Sequence, residues 1–405
     1  MPKSRTRTIA RKRNYVPYVK RFRPPNRKEA IEACGDIFER EELKPHSSFK
    51  PIPKCTSQDD WLAQYCEQGQ SFTEFIQTSP WLSTRKRKGI KQKFVPSEKT
   101  LQTRYPEGAI YLLPLGEFNN ESSPDFQNLV QYTQIFFNMP VKALPKMELL
   151  PAGSDDVLCR PYDSKEKLFY LKSRSKGEKR QLNIYSILNF VRDVAPDDAL
   201  ATIALTMSDL YEDKPDLFVA GMASGNARVG VFSFCRYDPN IEFSSEFWYE
   251  MKKKKHYSSN CDTKKLMLVR SCRLLVHEVA HILGIAHCIF YECCMNGSGH
   301  LEEDFRQPMF LCPVDLHKLS YLCGFNILQR YEKLRQFYSK FDLVDEMNWI
   351  DKRLKDLKES NTVTMKPKKS PKSGVKQKND QTVIEVDENV PLAQIRRFKA
   401  GRCKK

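Results

Sequence analysis

Residues 277–287 read His-Glu-Val-Ala-His-Ile-Leu-Gly-Ile-Ala-His, the pattern HExxHxxGxxH, and no other stretch limits the chain so tightly. His277 and His281 stand four residues apart, so on a helix they share one face and can grip one metal ion. Glu278 projects beside that face. Gly284 lies one turn after His281, where a helix commonly ends on a left-handed glycine and the chain reverses. The reversal brings His287 back toward the same ion. Three neutral imidazoles leave a fourth position open for water, the mark of a catalytic rather than a structural zinc site. A water held there has a pKa of about 7, and Glu278 stands ready to take its proton.

The competing reading is a solvated surface helix that happens to contain histidines. Leu274, Leu275, Val276, Val279, Ile282 and Leu283 make the stretch apolar on most sides, so the helix is predicted to be buried. Buried polar groups need partners, and a metal ion supplies one to both His277 and His281.

Further cysteines follow: Cys288 directly after the third histidine, then Cys293, Cys294 and Met295, and later Cys312-Pro313-Val314-Asp315. With these residues the chain resembles the archaemetzincins, and within them the animal archaemetzincin-2 branch. Gly297–Glu303, Gly324–Ile327 with Gln329–Tyr331, Leu205–Tyr211 and Val229–Phe234 look like that branch too, so the resemblance runs from roughly residue 50 to residue 340. It implies a metzincin-like zinc peptidase. His277, His281 and His287 match the catalytic zinc ligands, Glu278 the general base and acid, and Met295 the Met-turn residue beneath the imidazoles. The resemblance also implies a second, structural zinc held by four cysteines, of which Cys288, Cys293 and Cys312 match three. Asp315 stands where the family has the fourth cysteine. A carboxylate binds zinc but is a harder ligand than thiolate. Three outcomes are open: Asp315 completes a Cys3Asp site, Cys294 substitutes, or the second metal is lost.

The net charge of +17 sits at the ends of the 405-residue chain. Residues 1–28 hold eleven Lys or Arg and no acid, and residues 366–405 carry a net +8, which leaves −2 for residues 29–365. A nearly neutral body argues against a nucleic-acid-binding fold. The clusters Arg11-Lys12-Arg13 and Lys366-Pro367-Lys368-Lys369 suit a weak contact with nucleic acid or an import receptor, or nothing beyond solvation. The basic N-terminus lacks the apolar run of a signal peptide, and no segment reaches eighteen consecutive apolar residues. Thirteen cysteines is an odd number, and five of the seven histidines crowd into residues 277–317. The expectation is therefore a metal-binding intracellular protein, cytoplasmic or nuclear, not a secreted disulfide framework and not a membrane protein.

The expected organisation is a disordered basic tail over residues 1–28, an N-terminal extension with short helices over 29–104, a catalytic domain over 105–345 and a mostly disordered basic tail over 346–405. Strand-like stretches at 109–115, 141–150, 199–207, 217–223 and 228–235 alternate with helical spacing at 124–138 and 181–194. That alternation predicts an α/β fold: a mixed twisted sheet, an active-site helix over 264–284 and one long C-terminal helix over 313–341. Borrowing from zincin architecture, strand 228–235 is a candidate edge strand that a substrate joins by β-addition.

The leading functional expectation is hydrolysis of peptide bonds through a zinc-bound water, with Glu278 as general base and acid, by a chain expected to act as a monomer on peptide or protein substrates. The alternative is a catalytically weak zincin-fold protein that binds peptides. Tyr291 and His300 are the candidate donors to an oxyanion.

Overall fold

The computed structural model describes residues 22–118, 122–152, 156–161, 168–176, 179–214, 218–240, 260–364 and 395–398. The clusters at 11–13 and 366–369, and most of both expected tails, lie outside those residues.

The extension is built from short helices α1 (Arg27–Ala33), α2 (Trp61–Gln64), α3 (Phe72–Thr78) and α4 (Leu101–Arg104). Asn26 and Ser71 close capping boxes with Glu29 and Glu74, which satisfies the first N–H groups of helices too short to persist alone. Tertiary packing supplies the rest. Leu43, Phe75, Trp81, Leu101 and Tyr105 are buried in the same apolar cluster as the active-site helix.

Strand β1 (Ala109–Leu115) opens the sheet-bearing part of the chain and is followed by helix α5 (Phe126–Phe137). Then come β2 (Val141–Ala143), β3 (Met147–Pro151), β4 (Asp156–Pro161), β5 (Phe169–Lys176) and β6 (Lys179–Asn183). Helix α6 (Ile184–Val194) leads into β7 (Ala199–Thr206), β8 (Asp209–Tyr211), β9 (Phe218–Ser224) and β10 (Val229–Ser233). Helices α7 (Asn260–Ile282), α8 (Leu301–Arg306), α9 (Pro313–Cys323), α10 (Ile327–Lys340) and α11 (Val344–Thr364) precede a last strand, β11 (Ile395–Phe398).

The strands run β10-β7-β1-β3-β4-β5-β6-β8-β9, and β9 pairs back onto β10. The expected twisted sheet is mixed, with parallel pairs such as β1–β7 and antiparallel ones such as β4–β5, but it closes on itself as a barrel. Two of the contacts that complete the ring are short, a single residue pair at Leu115–Met147 and another at Leu210–Val219. Strand β10 is therefore not an edge. It pairs with β7 on one side and with β9 on the other, so no strand can be added along it. Apolar patterning identifies a strand but not its neighbours, and the tight return through Arg228 (φ 59°) makes β9 and β10 a hairpin.

Four further expectations change. The stretch 141–150 is two strands interrupted at Pro145, which cannot continue a ladder. Residues 181–183 of the expected second helix belong to β6, and Asn183 then caps α6. The expected C-terminal helix over 313–341 breaks at Gly324 (φ 71°) into α9 and α10. The boundary expected at residue 346 falls inside α11, which packs on α10 and buries Ile350, Arg353 and Leu357. Strand β11 pairs antiparallel with β9, so the segment 346–405 is not wholly tail.

Strand β7 is buried along its whole length, which explains its unbroken apolar run. Ile203 and Leu205 face the helices α5, α7, α9 and α10, while Ala204 belongs to a second cluster with Val231, Leu182 and helix α6. The first of these layers seats α7 and everything that follows from it.

Candidate active site and metal centre

Helix α7 carries His277, Glu278 and His281 into the core, where they are 0%, 1% and 8% exposed. Gly284 ends the helix with φ 89°, and the Ile285 N–H reaches back to the Ala280 carbonyl at 3.0 Å. That 6→1 bond on a left-handed residue is the Schellman closure the sequence implied. His287 consequently returns to the histidines, and the ligand atoms of all three lie within 4.8 Å of one another.

The tautomers are fixed from behind. His277 Nδ1 donates to the Cys294 carbonyl and His281 Nδ1 to the Ile285 carbonyl, each at 2.7 Å. Both Nε2 atoms then carry lone pairs, yet they face each other at 2.8 Å. Two lone pairs aimed together at that distance repel unless a cation lies between them. The donor set thus fits zinc: three imidazoles with carbonyl or carboxylate partners on their far nitrogens. Beneath them the chain folds back through a bond from Cys288 N–H to the Met295 carbonyl at 2.8 Å, with the Met295 side chain fully buried.

The extension grips the same turn. Gln70 donates from Nε2 to the Gly284 carbonyl at 3.1 Å and accepts from the Ala286 N–H at 3.2 Å. Trp81 Nε1 donates to the Ile282 carbonyl at 2.9 Å. Glu67 Oε1 lies 2.7 Å from His287 Nδ1 and accepts from Trp61 Nε1 at 2.5 Å. The Trp61 ring stands edge-on to His287, with centroids 5.0 Å apart, and stacks on Tyr65. Sequence reasoning missed Glu67, Gln70 and Trp81, because each lies more than 200 residues from its partner at the metal turn and carries no spacing signal. The aromatics Trp61, Tyr65, Phe72 and Phe75 within residues 59–78 are the one visible hint that this stretch packs on the body.

Cys288, Cys293, Cys312 and Asp315 form a second group, all buried, with ligand atoms again within 4.8 Å of one another. Cys288 and Cys312 sulfurs are 3.5 Å apart, and Asp315 Oδ2 lies 3.3 Å from Cys293 Sγ and 3.4 Å from Cys312 Sγ. Asp315, rather than Cys294, is the fourth member of that group; Cys294 offers its carbonyl to His277 instead. Burial pushes the Asp315 carboxyl up to about 6 against the pull of Lys318, whose ammonium donates to Oδ1 at 2.8 Å. Burial also drives the Cys293 and Cys312 thiols up. A sulfur-rich set with one carboxylate fits a zinc ion.

A third group, Asp60, His300 and Glu303, is close enough to hold an ion, but its lone pairs are already used. Asp60 accepts from Thr56 and Ser57 N–H groups, from His300 and from Arg306. Glu303 accepts from the N–H groups of Trp61 and Gly299. Burial lifts the Glu303 carboxyl to about 7. This group ties α8 to the extension. Both nitrogens of His300 are engaged, one with Asp60 and one with the Glu303 N–H, so it is not poised to donate to an oxyanion. Tyr291 is 5% exposed with its hydroxyl beside the Cys34 thiol, and burial raises it further above its usual range.

No described helix is long and apolar enough to cross a membrane. Residues 157–320 match the profile of peptidase family M54. Archaemetzincin-2 of Rattus norvegicus is 30% identical over 76% of this chain and 79% of its own length. Archaemetzincin-2 of Homo sapiens is 30% identical over 81% and 82%. Among solved structures, archaemetzincin from Methanopyrus kandleri aligns at 21% identity and a TM-score of 0.34, over 52% of this chain and 94% of that one. With three buried histidines converging and relatives of this identity over most of its length, the chain belongs to the archaemetzincin family and is a zinc metallopeptidase.

Proposed function

We propose that the chain hydrolyses peptide bonds at the centre formed by His277, His281 and His287, with Glu278 moving the proton. The observation that carries this reading is the convergence of three imidazole ligand atoms within 4.8 Å, with the buried Glu278 next to the first of them on the same helix. Zinc, when bound, polarises the scissile carbonyl and lowers the pKa of a water to about 7. The three histidines would hold the ion through Nε2 lone pairs that the carbonyl and carboxylate bonds at Nδ1 leave free. The Glu278 carboxylate takes one proton from the attacking water as its oxygen bonds to the carbonyl carbon. It delivers that proton to the amide nitrogen as the C–N bond breaks, so the carboxylate is regenerated. Burial excludes bulk water and strengthens each of these interactions.

The second group, Cys288, Cys293, Cys312 and Asp315, would hold a structural zinc ion through four protein ligands. It shares the 288–295 loop with the first, since Cys294 supplies the carbonyl behind His277 and Met295 the carbonyl that folds the loop.

Glu278→Gln keeps size and loses the proton carrier. Peptide hydrolysis should fall by about 10²–10⁴-fold while zinc content stays at the parent value. Cleavage by Glu278→Gln at the parental rate would remove Glu278 from the mechanism.

A further inference from the structure

We infer that Glu67, in the N-terminal extension, is a positioning residue of the catalytic centre: its carboxylate fixes the tautomer and orientation of His287, so the extension is part of the metal site. This rests on the reading of the three histidines as one zinc centre.

His277 and His281 sit on a rigid helix and are backed by carbonyls from their own loop. His287 has neither advantage. It follows the Gly284 reversal, outside any helix, and its Nδ1 finds its partner 220 residues away in Glu67 Oε1, at 2.7 Å. A carboxylate there does two things. It takes the Nδ1 proton's hydrogen bond, which leaves Nε2 with its lone pair for a metal, and it fixes the orientation of the ring. Glu67 is itself held, because its Oε1 accepts from Trp61 Nε1 at 2.5 Å. Trp61 is anchored in turn through its backbone N–H to Glu303 at 2.9 Å.

The surrounding contacts aim the segment at this turn. Gln70 spans the Gly284 carbonyl and the Ala286 N–H, three residues on from Glu67. Gly69, at φ 75°, lies so near the loop after His287 that a Cβ on it would come within 2.6 Å of Ile289. The extension therefore reaches the metal loop through contacts on both sides of His287 and places one charge behind its ring.

The test uses the full chain with Glu67→Gln and Glu67→Asp. Zinc affinity is measured by chelator competition, and cobalt(II) is substituted so that absorption separates the imidazole centre from the thiolate one. Glu67→Gln is isosteric and removes the charge. It should weaken metal binding at the imidazole centre by about 10–100-fold, shift the cobalt spectrum of that centre and leave the thiolate centre's bands in place. Glu67→Asp keeps the charge and should recover part of the loss. Equal affinity in the parent and Glu67→Gln overturns the assignment. So does Glu67→Asp binding more weakly than Glu67→Gln, since packing alone would penalise the shorter side chain. A parent chain that binds no metal through its imidazoles instead sinks the reading of the three histidines, separately from the role of Glu67.

Discussion

At the residue scale, Asp315 is the chain's own departure from a four-cysteine centre, and the structure shows what accompanies it. Lys318, 1% exposed, donates to Oδ1, while Oδ2 faces the sulfurs. An aspartate brings the same charge as a thiolate, and the buried ammonium engages one oxygen so that the other would be presented to a bound ion. Asp315→Ala removes a ligand and strands a buried cation. It should lower metal content from two ions per chain toward one and destabilise the fold by about 3–5 kcal/mol. Metal analysis and thermal melting check both, and a variant that keeps two ions and the parental melting temperature contradicts the Cys3Asp centre. Here the sequence was half legible. It exposed three cysteines and one anomaly, but Asp315 and Cys294 are both buried, and which of them faces the three sulfurs depends on how α9 packs against the 288–295 loop. Lys318 gave no signal, because a lysine one turn along a helix reads as solvated surface.

At the scale of single elements, the HExxHxxGxxH stretch works because a helix and its terminator are written together. Gly284 has room around it: a Cβ at this position would meet Ser79 Oγ first, at 3.5 Å, so its constraint is the backbone angle of φ 89°. Gly284→Ala should therefore cost about 1–2 kcal/mol, and Gly284→Asn less, since asparagine tolerates the left-handed region. Melting of the metal-free variants reads the order. Alanine melting as high as glycine would mean that the turn does not need this conformation. Strands β1, β7, β9 and β10 were legible from apolar runs within a residue or two, because burial on both faces leaves little else for them to be. Strands β4, β5 and β6 were not. In β5 one face carries Tyr170, Lys172, Arg174 and Lys176, a mostly charged series that reads as loop.

At the scale of the whole molecule, the sequence suggested an extension docked on a catalytic body, and the structure makes the boundary between them less distinct. One apolar cluster runs from Ala30 to Leu357 and includes both the extension and α7. Closure of the sheet into a barrel was beyond sequence reasoning, since two single-pair contacts and a hairpin decide it. Closure also removes the free edge that β-addition at β10 needed, so substrate must be held by other means. What the chain's remote parts achieve together is the arrangement of three rings: two from α7, one returned by Gly284 and backed by Glu67 from the far end of the sequence. The most direct measurement is anomalous diffraction at the zinc edge from crystals of the zinc-loaded chain. The account predicts a peak about 2.0–2.1 Å from a nitrogen of each of His277, His281 and His287, beside the Glu278 carboxylate. A peak bound by fewer than these three rings, or none between them, would contradict it.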